Sequence, residues 1–143
     1  GMAEDLVTRL RQALPALLAP LPVDLAYLYG SVVTGYATPF SDVDIGVVLA
    51  TLPAPRERLD LLLELEAWLA ENCQIPNADV RILNDAPLIF RGKVVTEGVL
   101  LYARDEEVRV AFEVETRMRY FDYRPIHDQL QAAFFADLRE RGV

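Results

Sequence analysis

The stretch GSVVTGYATPFSDVDIGVVL, Gly30 to Leu49, decides how the rest of the chain is read. A Gly-Ser pair is followed, ten residues later, by two aspartates one residue apart, and these open a run of aliphatic and β-branched residues. That run predicts a buried strand over Asp42–Leu49. Successive side chains of a strand point to opposite faces, so Asp42 and Asp44 share one face while Val43 and Ile45 turn into the core. Two carboxylates a few ångströms apart repel unless a cation lies between them. Hard divalent ions such as Mg²⁺ take oxygen ligands, commonly one or two carboxylates completed by substrate phosphates.

Working outward, a third carboxylate, Asp79, stands near the start of a predicted strand Ala78–Leu83, which is expected to lie beside the first. Three acids on neighbouring strand ends are the donor set that two-metal phosphoryl-type transfer uses. Gly30 ends a preceding strand, Asp24–Tyr29, and allows a tight turn. Ser31 offers a hydroxyl and an N–H at the start of a short helical turn, a place that suits phosphate oxygens. Neither a P-loop nor a dinucleotide fingerprint is present. The competing reading makes Gly30 and Ser31 a simple turn and the aspartates a solvated strand end. It leaves the spacing and the third acid unexplained.

The remaining pattern is that of an α/β (α+β) chain, a small mixed sheet with flanking helices and a C-terminal helical segment, read as one domain over residues 2–143. Gly1 reads as a cloning scar. Leu6, Leu10, Leu14, Leu17 and Leu18 mark a first amphipathic helix. A second runs from about Pro55 to Asn72, with Leu61, Leu65, Trp68 and Leu69 on one face. Asn84 or Asp85 is expected to cap a short helix with Pro87 in its first turn, and Arg91 and Lys93 to follow that helix as a solvated end. VLLYAR suggests a fourth strand. Asp105, Glu106 and Glu107 then open a helix whose apolar face holds Ala111, Val114, Met118 and Phe121, and a second stripe follows Pro125, giving a helix pair or one kinked helix. Tyr120, Phe121 and Tyr123 are expected in the core and His127 at the surface.

Composition narrows the function. The 143 residues include 22 acidic and 14 basic side chains, a net charge of −8, the wrong sign for non-specific nucleic-acid binding. One cysteine, Cys73, and one histidine, His127, leave no disulfide framework, no Cys/His metal cluster and no Ser-His-Asp triad to build. Cys73 reads as a small apolar residue near a helix end. No apolar run has the ~18 residues of a membrane span, and the expected location is the cytoplasm.

The Gly30-Ser31, ten residues, Asp42-x-Asp44 pattern resembles the signature of the minimal nucleotidyltransferases of the DNA polymerase β superfamily, and NADVRIL resembles that family's third-aspartate strand. More narrowly, APLIFRGKVVTEGVLLYAR and MRYFDYRPIH are similar to the MntA-type antitoxins that pair with HEPN-domain toxins. The resemblance implies a polymerase-β-like fold and transfer of AMP from ATP to a tyrosine of the toxin. It further implies two Mg²⁺ ions on Asp42, Asp44 and Asp79, with Gly30 and Ser31 on the triphosphate. A small-molecule acceptor such as an aminoglycoside, and an antitoxin that acts by binding alone, are the alternatives.

Overall fold

The structure, a computed structural model, describes residues 1–142. Helix α1 (Met2–Leu18) leads into β1 (Val23–Tyr29), the single-turn α2 (Ser31–Thr34) and β2 (Val43–Leu49). Then come α3 (Pro55–Cys73), β3 (Ala78–Ile82), α4 (Leu88–Glu97), β4 (Val99–Ala103) and the long α5 (Glu106–Glu140). The strands form one sheet in the order β3-β2-β1-β4. β1 pairs antiparallel with β2 and β4, and β2 runs parallel to β3. A parallel neighbour needs a crossover, and α3 supplies it.

Alternation along the strands sorts side chains between two layers. Ala26, Leu28, Val43, Ile45, Val47 and Val80 pack under α1 and α3 against Leu6, Leu10, Leu14, Leu18, Leu65 and Leu69. Leu25, Tyr27, Val48 and Leu83 face the other way, against Val94 of α4 and Phe112 of α5. Cys73 is buried in the first layer, as its apolar reading requires, and burial pushes its thiol up. The edge strand β3 is tied to α3 where the Val80 N–H donates to Glu66 at 2.9 Å. Arg104 gathers the connection between α1 and β1 by donating to the carbonyls of Leu18, Ala19 and Val23.

Two regions depart from the sequence expectation. Helix α4 begins after Pro87 rather than at Asn84 or Asp85. The residue before a proline is disfavoured in helical conformation, so the helix waits for Pro87 to pass. Asn84 instead bridges the end of β2, donating to the Leu49 carbonyl and accepting from the Leu49 N–H, both at 2.8 Å, while Asp85 pairs with Arg58. Arg91 and Lys93 therefore lie inside α4, not beyond it.

The second departure is α5, which is helical through Pro125 and turns its apolar stripe outward. Val114, Met118 and Phe121 are 49%, 64% and 57% exposed, and Tyr123 is also exposed, while the buried residues are Glu113, Thr116 and Tyr120. Charge holds this side down. The Tyr27 hydroxyl donates to Glu113 at 2.8 Å, and Arg109 and Arg117 donate to its other oxygen at 3.2 and 3.1 Å. Burial, followed by the Glu113 carboxylate, pushes the Tyr27 phenol well above its usual range. Helical periodicity shows that an apolar face exists and says nothing about which face the sheet takes.

Candidate active site

At one edge of the sheet β1 ends while β2 and β3 begin, and the five residues singled out by sequence are distributed around that edge. Tyr29 of β1 is the register partner of Asp44 of β2, and Asp44 is the partner of Asp79 of β3. Opposed residues in a sheet point to the same face, so the three side chains form a row on the side that carries α4 and α5. Asp42 lies two residues before Asp44, just ahead of β2. Its loop is pinned to the entry of β3, because Asn77 donates to the Ser41 carbonyl at 2.7 Å and accepts from the Val43 N–H at 2.9 Å.

The chain can pass this row only with glycine at position 30. Gly30 has φ +80° and ψ −157°, and a Cβ there would stand 2.3 Å from Asp44 Oδ2. The glycine thus makes the turn and leaves the space that the Asp44 carboxylate fills. Ser31 opens α2, whose first N–H groups point away from the helix body as at any helix start. Gly30 and Thr34 also line a cleft of about 170 Å³ with Tyr29, Phe90 and Lys93. A larger cleft of about 600 Å³ between the start of α1 and Ala37–Ser41 contains none of the five residues.

The electrostatics follow from this crowding. The Asp44 carboxyl is pushed above the ordinary carboxylate range by burial first and then by the Asp79 charge; Arg81 opposes the shift and Asp42 adds to it. The Tyr29 phenol is pushed up to about 12, chiefly by burial and then by Asp44. Its oxygen is buried without a hydrogen-bond partner among the described residues, and its ring meets Phe90 edge-on at 5.3 Å.

Arg81 is the residue that the motif did not reveal. Its Nε and Nη2 donate to Asp79 Oδ2 at 3.3 and 3.1 Å, and its guanidinium lies 6.0 Å over the Phe90 ring. The signal was available, since Asp79-x-Arg81 in a strand places both side chains on one face. His127 is set apart, half-buried near Tyr123 and Pro87.

All donors at the edge are oxygens, the set a hard divalent ion prefers. Among the described residues no three acidic, histidine or cysteine side chains are grouped to hold an ion by themselves. The arrangement fits divalent ions carried by the Asp42, Asp44 and Asp79 carboxylates and completed by substrate oxygens, with Arg81 holding Asp79 Oδ2.

The fold has counterparts among known proteins. Solved structures of similar fold include a toxin–antitoxin with AMP-PNP, at 24% identity over 93% of this chain and 98% of that chain, TM-score 0.61. Another is a tri-AMPylated Shewanella oneidensis HEPN toxin in complex with MNT antitoxin, at 22% identity over 96% and 99%, TM-score 0.58. A toxin–antitoxin MntA-HpeT mutant matches at 25% identity over 98% and 97%, TM-score 0.54. No curated protein sequence matches significantly. The family model for polymerase beta nucleotidyltransferases matches residues 16–107, well over half of the chain and a span that contains the whole acidic row. By that match and by the fold it predicts, the chain belongs to the polymerase beta nucleotidyltransferase family.

Proposed function

We propose that this chain transfers AMP from ATP, with Mg²⁺, to a tyrosine hydroxyl of a partner HEPN toxin and so serves as its antitoxin. The observation that carries the chemistry is the register of the sheet: Asp79 stands opposite Asp44, with Asp42 two residues before it and the Gly30-Ser31 turn directly alongside. A non-catalytic binding module gains nothing from concentrating like charges in this way.

Asp42, Asp44 and Asp79 would hold the divalent ions. When bound, these neutralise the polyphosphate and stabilise charge on the attacking and leaving oxygens. Gly30 and the N–H and hydroxyl of Ser31 bind phosphate oxygens and turn the α-phosphorus toward the acidic row. A carboxylate oxygen of Asp79 accepts the proton of the incoming phenol, whose ordinary pKa near 10 makes that transfer easier than from an alcohol. The phenol oxygen bonds to the α-phosphorus, the bond to the bridging oxygen breaks, and pyrophosphate leaves in line. The tyrosine is left with a phosphodiester whose negative charge repels an RNA backbone from the toxin.

The partner follows from the company the fold keeps: the similar structures are chains of toxin–antitoxin complexes, matched along nearly their whole length. The outward stripe of α5, with Met118 and Phe121, is an apolar surface that such a partner would cover. Incubation with the HEPN toxin and ATP labelled at the α-phosphorus tests the reading. Label is expected on the toxin, none is expected from γ-labelled ATP, and Asp44→Asn is expected to abolish labelling. Label on a small molecule or RNA, with the toxin unlabelled, would overturn the proposed acceptor.

A further inference from the structure

The acidic row carries its own cation. Arg81 follows Asp79 by two residues on the same face of β3 and grips Asp79 Oδ2 with two nitrogens at 3.3 and 3.1 Å. Its guanidinium is steered by the Phe90 ring at 6.0 Å, and the pairing with Asp79 holds it firmly protonated. The Arg81 side chain is 58% exposed and that of Asp79 33% exposed, so the pair is open to solvent. An arginine cannot shed its charge, so it offsets part of the repulsion within the row at every working pH.

We propose that Arg81 is an exchangeable counter-ion of this site: it competes with the divalent cation for the Asp79 carboxylate, and once displaced it binds the nucleotide's phosphates. The inference rests on the functional reading above and goes beyond it by making metal and nucleotide binding interdependent. Metal alone must break the Asp79–Arg81 pair without compensation. Metal arriving with a nucleoside triphosphate gives the freed guanidinium anionic oxygens to bind, the geometry that arginine favours. The two ligands then bind with positive coupling, and the coupling is reciprocal.

The test measures Mn²⁺ binding to the full chain by calorimetry, alone and with a non-hydrolysable ATP analogue, for the wild type, Arg81→Ala, Arg81→Lys and Asp44→Asn. Loss of a half-exposed ion pair that competes with the metal is expected to tighten Mn²⁺ binding to Arg81→Ala by roughly two- to fivefold. Nucleotide affinity in the presence of Mn²⁺ is expected to fall in the same variant, so that the coupling shrinks, with Arg81→Lys in between. A merely structural arginine would weaken both ligands together, with a lowered melting temperature. Equal or weaker Mn²⁺ binding by Arg81→Ala, with Asp44→Asn impaired as the metal reading requires, overturns the counter-ion role alone. Mn²⁺ binding that is indifferent to Asp44→Asn overturns the metal site itself, and the two failures are thereby distinguished.

Discussion

Replacing Gly30 by alanine puts the account under strain at one atom. The new Cβ would stand 2.3 Å from Asp44 Oδ2 and 3.2 Å from its Cγ. Carbon–oxygen contacts settle at about 3.3 Å or more, so the carboxylate must retreat by about 1 Å. The backbone adds a separate cost, because φ +80° with ψ −157° is a conformation that essentially only glycine adopts, and a side chain there costs about 1–3 kcal/mol. Misplacement of a catalytic group by about 1 Å is worth about a hundredfold in rate. Gly30→Ala is therefore expected to lower the melting temperature by several degrees and to slow AMP transfer about a hundredfold. Adding Asp44→Ala separates the two effects. In that background the clash is gone, and the remaining destabilisation by Gly30→Ala measures backbone strain alone. A Gly30→Ala chain that melts and transfers like the wild type would refute the reasoning.

Two further substitutions separate chemistry from scaffold. Asp44→Asn is expected to stabilise the metal-free fold at neutral pH while abolishing transfer. Because the Asp44 carboxyl titrates above its ordinary value, the group is neutral in both folded and unfolded states in strong acid, and its ionisation penalises the fold as pH rises through the raised value. The stabilisation should thus be present at pH 7 and vanish below about pH 4 in paired thermal melts. Glu113→Gln removes the charge that Arg109 and Arg117 share and keeps the contact to Tyr27, and is expected to cost about 1–3 kcal/mol by urea denaturation. An unchanged midpoint would mean that this hub does not hold α5 to the sheet.

The strands and the acidic edge were legible because the sequence encodes both locally. A strand's period fixes which residues share a face, so Asp42 and Asp44 could be placed before any coordinates, and the observed β2 starts within one residue of the expectation. Asp79 needed one further step, the parallel pairing of β3 with β2, which depends on how α3 crosses over. Arg81 was equally legible from Asp79-x-Arg81 but lies outside the acidic pattern. Helix α5 was least legible in the chain. Its outward residues Val114, Met118 and Phe121 read as a core stripe, whereas its inward side is fixed by Glu113 meeting Tyr27, a contact between residues 86 positions apart that no periodicity encodes. The start of α4 is hidden in the sequence because Asn84 has the chemistry of a helix cap and spends it on the end of β2.

Intact-mass measurement of the HEPN toxin after incubation with this chain, ATP and Mg²⁺ tests the central claim most directly. The account predicts mass increments of whole adenylyl groups, mapped by fragmentation to a tyrosine, with stoichiometric release of pyrophosphate and no increment when Asp42→Asn and Asp44→Asn are combined. An unmodified toxin that the wild type and the doubly substituted chain neutralise equally well would contradict it.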